Sequence, residues 1–340
     1  MENIQKIVVL QTAYIGDVIV STGLLRELMS IYPEAQIDII TTPLSAELFK
    51  YNPHINYIYK FDKNNWKYIN FFKLIRKLRS ESYDLSISIQ SSLTSALLLS
   101  LAGIDTRIGF DKQVLTTDSI VLRENSDRHR SENIVNLLSH LDNDQKFDHR
   151  SELFFSNRET GRAGRIIDSL QENGEKLIGI APGSVRETKK WPAEYYEELT
   201  TKLGQTESCV FFIGGPDEAE LCDRIIEASR HPKTINMAGK LSLLESSALI
   251  KKMDLMISND SAPLHMANAV KTDVFAFFGP TVRKYGFFPY REGDKIFEVE
   301  LNCRPCSLHG GAKCPEGHHN CMKMIKPDHV FQQIREKLNI

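Results

Sequence analysis

Strand-like and helix-like patterns alternate along this chain, and the alternation runs through twice. In the first half, the β-rich runs Lys6–Leu10, Gln36–Thr41, Tyr57–Phe61 and Leu85–Gln90 are separated by helical patterns over Val18–Ile31, Ser45–Tyr51, Trp66–Arg79 and Thr94–Leu101. Such alternation requires crossovers between parallel strands, with helices covering both faces of the sheet. A further helical pattern, His129–Leu141, places Ile134, Leu137, Leu138 and Leu141 at helical spacing. After the charged stretch Asp142–Arg150, a helix-like segment, Arg158–Gln171, leads to the apolar run Leu177–Ile180, and the alternation restarts. Helix Ala193–Leu203, strand Cys209–Ile213, helix Ala219–Arg230, strand Thr234–Asn236, helix Leu244–Met253, strand Leu255–Ile257, helix Leu264–Ala269 and strand Val274–Phe278 follow. The expected fold is therefore α/β, with two parallel-sheet domains meeting near Asn157–Gly174. This divides the chain into 1–156, 157–326 and a final helix within 327–340 that can pack on either domain. Two such units in tandem leave a cleft between them, a common place for small-molecule sites.

A chain of 340 residues has room for more than one buried core. Its formal charge of −2 argues against a broad nucleic-acid surface. The run Ile7–Leu10 is too short for a signal-peptide core, and no later apolar stretch approaches the ~20 residues of a membrane span. A soluble, cytoplasmic protein with no nucleic-acid partner is expected.

The chemistry gathers where strands end. Leu255–Ile257 breaks into Ser258-Asn259-Asp260-Ser261-Ala262-Pro263 before a helix-like run from Leu264. Asn259, Asp260 and Ser261 are helix-capping types, and Pro263 suits a first helical turn. A helix start beyond a strand's carboxyl end gathers N–H groups and a positive dipole end, which attract phosphate. The first strand runs into Gln11-Thr12-Ala13-Tyr14-Ile15-Gly16-Asp17, where Gly16 permits a close turn. Asp17 either caps the following helix or accepts a proton from a substrate hydroxyl.

Neither the three-glycine dinucleotide fingerprint nor a Gly-Lys-Ser/Thr phosphate loop is present, which disfavours nicotinamide enzymes and P-loop NTPases. The segment from Ala181 to Pro192 carries Gly183, Ser184, Lys189 and Lys190 ahead of Trp191. It reads either as a phosphate-binding loop or as a solvated basic loop with Trp191 packed at the helix start. Asp217, after Gly214-Gly215-Pro216, can bind a ribose or sugar hydroxyl or simply make a turn, and the loop from Ile235 to Lys240 can pass beside a base.

In this combination and order, Ile15-Gly16-Asp17-Val18, Ala181-Pro182-Gly183-Ser184, Lys189-Lys190-Trp191-Pro192, Gly214-Gly215-Pro216-Asp217, Ala238-Gly239-Lys240, Asn259 to His265 and Phe278-Gly279-Pro280-Thr281 resemble glycosyltransferase family 9, the ADP-heptose heptosyltransferases of bacterial lipopolysaccharide. The resemblance implies a GT-B fold: two Rossmann-like domains facing across a cleft, the first binding acceptor and the second ADP-sugar. It implies inverting transfer of heptose from ADP-L-glycero-D-manno-heptose, with Asp17 as general base and Lys189 at the diphosphate. The donor site would include Gly16, Gly183, Ser184, Asp217, Met237 near adenine, Asp260, Ser261, Ala262, Leu264 and His265. Pro263 departs from many members and cannot donate an N–H, so a backbone cradle would rest on Ser261, Ala262 and Leu264. No cofactor is implied for catalysis. A transfer of heptose to protein serines and a non-catalytic nucleotide-sugar binder are the alternatives.

The implied acceptor is a lipid A–Kdo or heptosyl-Kdo saccharide on the cytoplasmic face of the inner membrane, with Arg128, His129 and Arg130 as candidate contacts. Lys60, Lys63, Lys67, Lys73, Arg76, Lys77 and Arg79 lie among Phe61, Trp66, Tyr68, Phe71 and Phe72. That segment can touch an anionic lipid surface, giving transient peripheral association. The favoured reading is a plain helix that packs Ile69, Phe72, Ile75 and Leu78 on the sheet, with its cations in water.

Four of the six cysteines cluster as Cys303, Cys306, Cys314 and Cys321, among His309, His318 and His319. In a cytoplasmic protein this spacing points either to a structural Zn or Fe stapling the loop 303–321 or to reduced, metal-free thiols. The resemblance to heptosyltransferases of type II extends to this ending. Cys209 and Cys222 read as core residues.

Overall fold

A computed structural model describes residues 4–62, 68–90, 92–110, 119–122, 128–142 and 145–340. The chain divides into two compact units, Met1–Phe154 and Phe155–Ile340. The first contains β1 (Lys6–Leu10), β2 (Gln36–Thr41), β3 (Tyr57–Lys60), β4 (Leu85–Ser88), β5 (Thr106–Phe110) and β6 (Ser119–Leu122). The second contains β7 (Lys176–Ala181), β8 (Ser208–Phe212), β9 (Thr234–Asn236), β10 (Leu255–Asn259), β11 (Val274–Phe277) and β12 (Lys295–Phe297). Among the described residues both sheets are six-stranded and parallel throughout, ordered β3-β2-β1-β4-β5-β6 and β12-β11-β10-β7-β8-β9. Each therefore has the strand order of a doubly wound nucleotide-binding sheet, and its order reverses between β1 and β4 or between β7 and β10. The loops leaving β7 and β10 meet at the second of these switch points.

Strand periodicity explains the layers. Along β1, Val8 and Leu10 face a cluster with Phe71, Ile75, Leu78, Leu98 and Leu99. Ile7 and Val9, on the alternate positions, are equally buried, so both faces are covered. In the second unit, Trp191 stacks on Phe277 with ring centroids 4.4 Å apart and meets Tyr196 edge-on at 4.8 Å. The terminal helix Pro327–Leu338 adds Val330, Ile334 and Leu338 to this same core.

The helix Tyr68–Glu81 corrects one expectation. It buries Phe71, Ile75 and Leu78, whereas Ile69 and Phe72 are 63% and 58% exposed. At 100° per residue, Ile69, Phe72, Lys73 and Arg76 share the outward face, so the apolar stripe is rotated from the one the pattern favoured. Lys63, Trp66 and Lys67 lie outside the described residues. Strands β5, β6 and β12 were not anticipated: β5 contains Arg107 and Gly109, and β12 is a three-residue edge strand. Among the described residues, no helix is long and apolar enough to cross a membrane.

Candidate active site

Asn259, the last residue of β10, is fully buried and joins the two loops at the second switch point. Its Nδ2 donates to the carbonyls of Pro182 (2.8 Å) and Gly183 (3.2 Å). Its Oδ1 accepts from the Trp191 N–H (2.9 Å) and the Tyr196 hydroxyl (3.1 Å). Both ends of the segment from Pro182 to Trp191 are thus fixed to the neighbouring strand by one side chain.

That segment carries Lys189. Its ammonium contacts Asp260 Oδ2 at 2.7 Å, with side-chain exposures of only 15% and 7% for the pair. The Asp260 carboxylate also accepts from the Thr281 hydroxyl at 2.7 Å. His265 lies one turn into the following helix, Ala262–Ala269. Burial pushes its pKa down to about 4, with Lys189 acting in the same direction against the pull of Asp260. The ring is neutral at pH 7, leaving the Lys189–Asp260 pair as the charge centre of this loop cluster.

Several anticipated donor residues converge here. Gly183 and Ser184 line the same segment, and Ser184 Oγ accepts from the Arg186 N–H at 3.3 Å. Ser261 is the N-cap of Ala262–Ala269 but makes no side-chain capping bond, so the capping expected of Asn259–Ser261 is not what shapes this turn. The Leu264 side chain is fully buried and its N–H bonds the Ser261 carbonyl at 3.1 Å, so that N–H is already engaged within the chain. Met237 is buried beside β8, its N–H on the Phe212 carbonyl at 2.9 Å.

Asp217 is exposed, and its neighbour Glu218 turns inward instead. The Glu218 carboxylate accepts from the Gly215 N–H at 2.8 Å and fills the space that a Cβ on Gly183 or Gly214 would occupy. Burial raises its pKa against the opposing effects of the Gly215 N–H and Lys190. The sequence signal was present in both glycines, which leave room for a carboxylate, but which acidic residue fills it depends on the short helical turn Pro216–Glu218.

In the first unit, Gly16 and Asp17 are the second and third residues of the helix Ile15–Val20, which starts beyond β1. Tyr14 is the N-cap and makes no side-chain capping bond, so Asp17 is a first-turn carboxylate favoured by the helix dipole, not the cap. Arg128 is exposed, and the Arg130 guanidinium lies 4.8 Å from the Phe110 ring centroid. His129 differs from both: its ring is buried and accepts from the Ser131 N–H at 3.1 Å, capping the helix Arg130–Val135.

Among the described residues, no three His, Cys, Asp or Glu side chains are grouped to hold a metal ion. Of the two readings of Cys303, Cys306, Cys314 and Cys321, ligation of a structural Zn or Fe therefore lacks its geometry; all four are free thiols. Cys321 is buried, and burial raises its pKa to about 11. Structurally, the cysteine-rich segment reaches the loops just described. The Arg304 guanidinium donates to the carbonyls of Gly279, Phe278 (3.1 Å) and Thr281 (3.0 Å), while Thr188 exchanges hydrogen bonds with Gly311.

Comparison with known proteins gives a consistent match. The pattern of glycosyltransferase family 9 (heptosyltransferase) matches residues 71–314. Lipooligosaccharide heptosyltransferase 2 of Campylobacter jejuni is 27% identical over 338 residues, covering 98% of each chain. Among solved structures, ADP-heptose lps heptosyltransferase II of E. coli aligns with a TM-score of 0.80 at 23% identity over 98% of each chain. A glycosyltransferase family 9 protein of Veillonella parvula aligns with a TM-score of 0.84 at 22% identity over 99% of each chain.

Proposed function

The chain belongs to glycosyltransferase family 9, the heptosyltransferases, and on that premise we propose that it transfers heptose from ADP-L-glycero-D-manno-heptose to the inner core of lipopolysaccharide, as a heptosyltransferase of type II. Its two doubly wound units are those of a GT-B glycosyltransferase. The observation that carries the residue assignment is the shielded Lys189–Asp260 pair at the β7/β10 switch point, where an open α/β sheet binds its nucleotide.

In the proposed reaction, an acceptor hydroxyl oxygen forms a bond to the anomeric carbon from the face opposite the leaving group. The bond from that carbon to the diphosphate oxygen breaks, ADP departs with the electron pair, and Asp17 takes the hydroxyl proton. The anomeric configuration is inverted. Negative charge grows on the diphosphate as the bond breaks, and Lys189 answers it with a fixed cation. The donor competes with Asp260 for that ammonium, and the Thr281 hydroxyl bond gives the displaced carboxylate a remaining partner. Ser184 and the backbone at Ser261 and Ala262 add neutral donors. A carboxylate is in general a weak base, so positioning and leaving-group stabilisation supply most of the acceleration.

The acceptor side of the proposal is a lipid A–Kdo or heptosyl-Kdo saccharide, with Arg128 and Arg130 as its anion contacts. Exposed Ile69 and Phe72 beside Lys73 and Arg76 fit brief contact with an anionic leaflet, apolar tips entering the interface and cations meeting headgroups. The test of the catalytic assignment is Asp17→Asn: ADP binding persists and heptose transfer is lost. Undiminished turnover rejects Asp17 as the base.

A further inference from the structure

We infer that the cysteine-rich tail is a brace for the phosphate loop, with His319 as a positioning residue that sets the Lys189 ammonium through the Thr188 carbonyl. This rests on the reading of Lys189 as the diphosphate contact.

The tail holds the Lys189–Asp260 pair from both sides. On one side, Arg304 gathers the carbonyls of Phe278, Gly279 and Thr281, and the Cys306 N–H bonds the Pro280 carbonyl at 3.3 Å. The turn fixed in this way presents the Thr281 hydroxyl to Asp260. On the other side, the Gly311 N–H donates to the Thr188 hydroxyl at 2.8 Å, and the Thr188 N–H donates to the Gly311 carbonyl at 3.1 Å. His319 Nε2 lies 2.9 Å from the Thr188 carbonyl, to which its N–H donates. Thr188 immediately precedes Lys189 in the short helical turn Glu187–Lys189, so these bonds fix the backbone from which the ammonium is aimed.

Two further features suit this role. Gly310 has φ +78°, and a Cβ there would press on the Lys189 side chain and on Arg186, so the tail lies directly against the loop. His319 itself has φ +54°, a left-handed conformation that costs a non-glycine residue energy unless its surroundings hold it. Its ring thereby reaches a backbone carbonyl more than a hundred residues away in sequence. A rigid support of this kind preserves catalytic geometry at sub-ångström tolerance.

The test compares His319→Ala, His319→Gln, Lys189→Ala and the Lys189→Ala/His319→Ala double variant in ADP-heptose turnover, with exposed His309→Ala as the tail control. His319→Ala is expected to lower kcat/KM for the nucleotide sugar about tenfold while KM for the acceptor holds, and Gln, which restores an N–H donor, recovers most of it. In the Lys189→Ala background the same change costs less than about twofold, because its effect passes through Lys189. If Lys189→Ala cripples the enzyme and His319→Ala does nothing, the brace is refuted and the Lys189 reading survives. If Lys189→Ala is harmless, both fall. A His319 effect that persists undiminished without Lys189, or that Gln does not relieve, also overturns the proposal. Should His319→Ala fail to fold, Thr188→Val removes the hydroxyl that pairs with Gly311 and must produce the same donor-specific loss.

Discussion

Replacing Asn259 with Ala removes the tie at the second switch point, and the size of the effect follows from its four partners. The carbonyls of Pro182 and Gly183, the Trp191 N–H and the Tyr196 hydroxyl all lose their bond to a side chain that is fully buried. A buried polar group left unpaired costs about 1–3 kcal/mol, and groups sharing one cavity lose less than the sum because a water or a rotated hydroxyl recovers part. A destabilisation of about 3–5 kcal/mol is expected for the unit Phe155–Ile340. In a unit of that size, this lowers Tm by about 10 °C. Differential scanning calorimetry reads the shift, and turnover measured well below the new Tm reads the loosening of the Lys189 loop. Asn259→Asp is the sharper companion. Its carboxylate would face the carbonyl oxygens of Pro182 and Gly183, so burial and repulsion raise its folded pKa. The folded state then holds the proton more tightly than the unfolded chain, and the variant loses stability as pH rises from the ordinary carboxylate range up to the raised folded value. Asn259→Ala melting within 2 °C of the parent, with unchanged turnover, would refute the reasoning.

Two other outcomes follow from the same loops. Gly183→Ala puts a Cβ where the Glu218 carboxylate sits, so Glu218 must leave its Gly215 N–H; ADP affinity should fall at least tenfold, measured by calorimetric titration, and recover in part with Glu218→Ala, which vacates the space. The buried His265, with its pKa near 4 against about 6.5 unfolded, makes the unfolded chain the better proton acceptor between those values. Stability conferred by the neutral ring is complete above pH 6.5 and declines by about 3 kcal/mol as pH falls to 4. Denaturant titrations across that window should show a flatter pH dependence for His265→Asn, and parallel curves would show that the ring titrates normally.

Much of this was legible in the sequence, for identifiable reasons. The central strand Lys6–Leu10 is a dense apolar run buried on both faces, and Gln36–Thr41 carries Ile37, Ile39 and Ile40, so the limits of both coincide with the observed elements. Lys189 and Asp260 read from the residues alone as either phosphate-loop or plain structural positions, a solvated basic loop and a helix cap, and only the resemblance singled them out. The roles of Asn259 and His319 were hidden. Asn259 looks like a helix cap until the β7–β10 pairing brings the Pro182 and Gly183 carbonyls to its amide, a contact across more than seventy residues. His319 sits among cysteines that read either as metal ligands or as free thiols, and its own partner is a backbone carbonyl that no spacing reveals. Choosing between Asp217 and Glu218 required the rotation of the short turn Pro216–Glu218, and choosing between Phe71 and Phe72 that of the helix Tyr68–Glu81, to which composition is blind.

The most direct test is incubation of the purified protein with ADP-L-glycero-D-manno-heptose and a heptosyl-Kdo lipid A acceptor, followed by mass spectrometry and NMR of the saccharide. The expected product carries one added heptose in the anomeric configuration opposite to the donor's, forms with matching release of ADP, and is absent with Asp17→Asn. Product that retains the donor's configuration, or equal transfer by the Asp17→Asn protein, would contradict single-step displacement with Asp17 as its base.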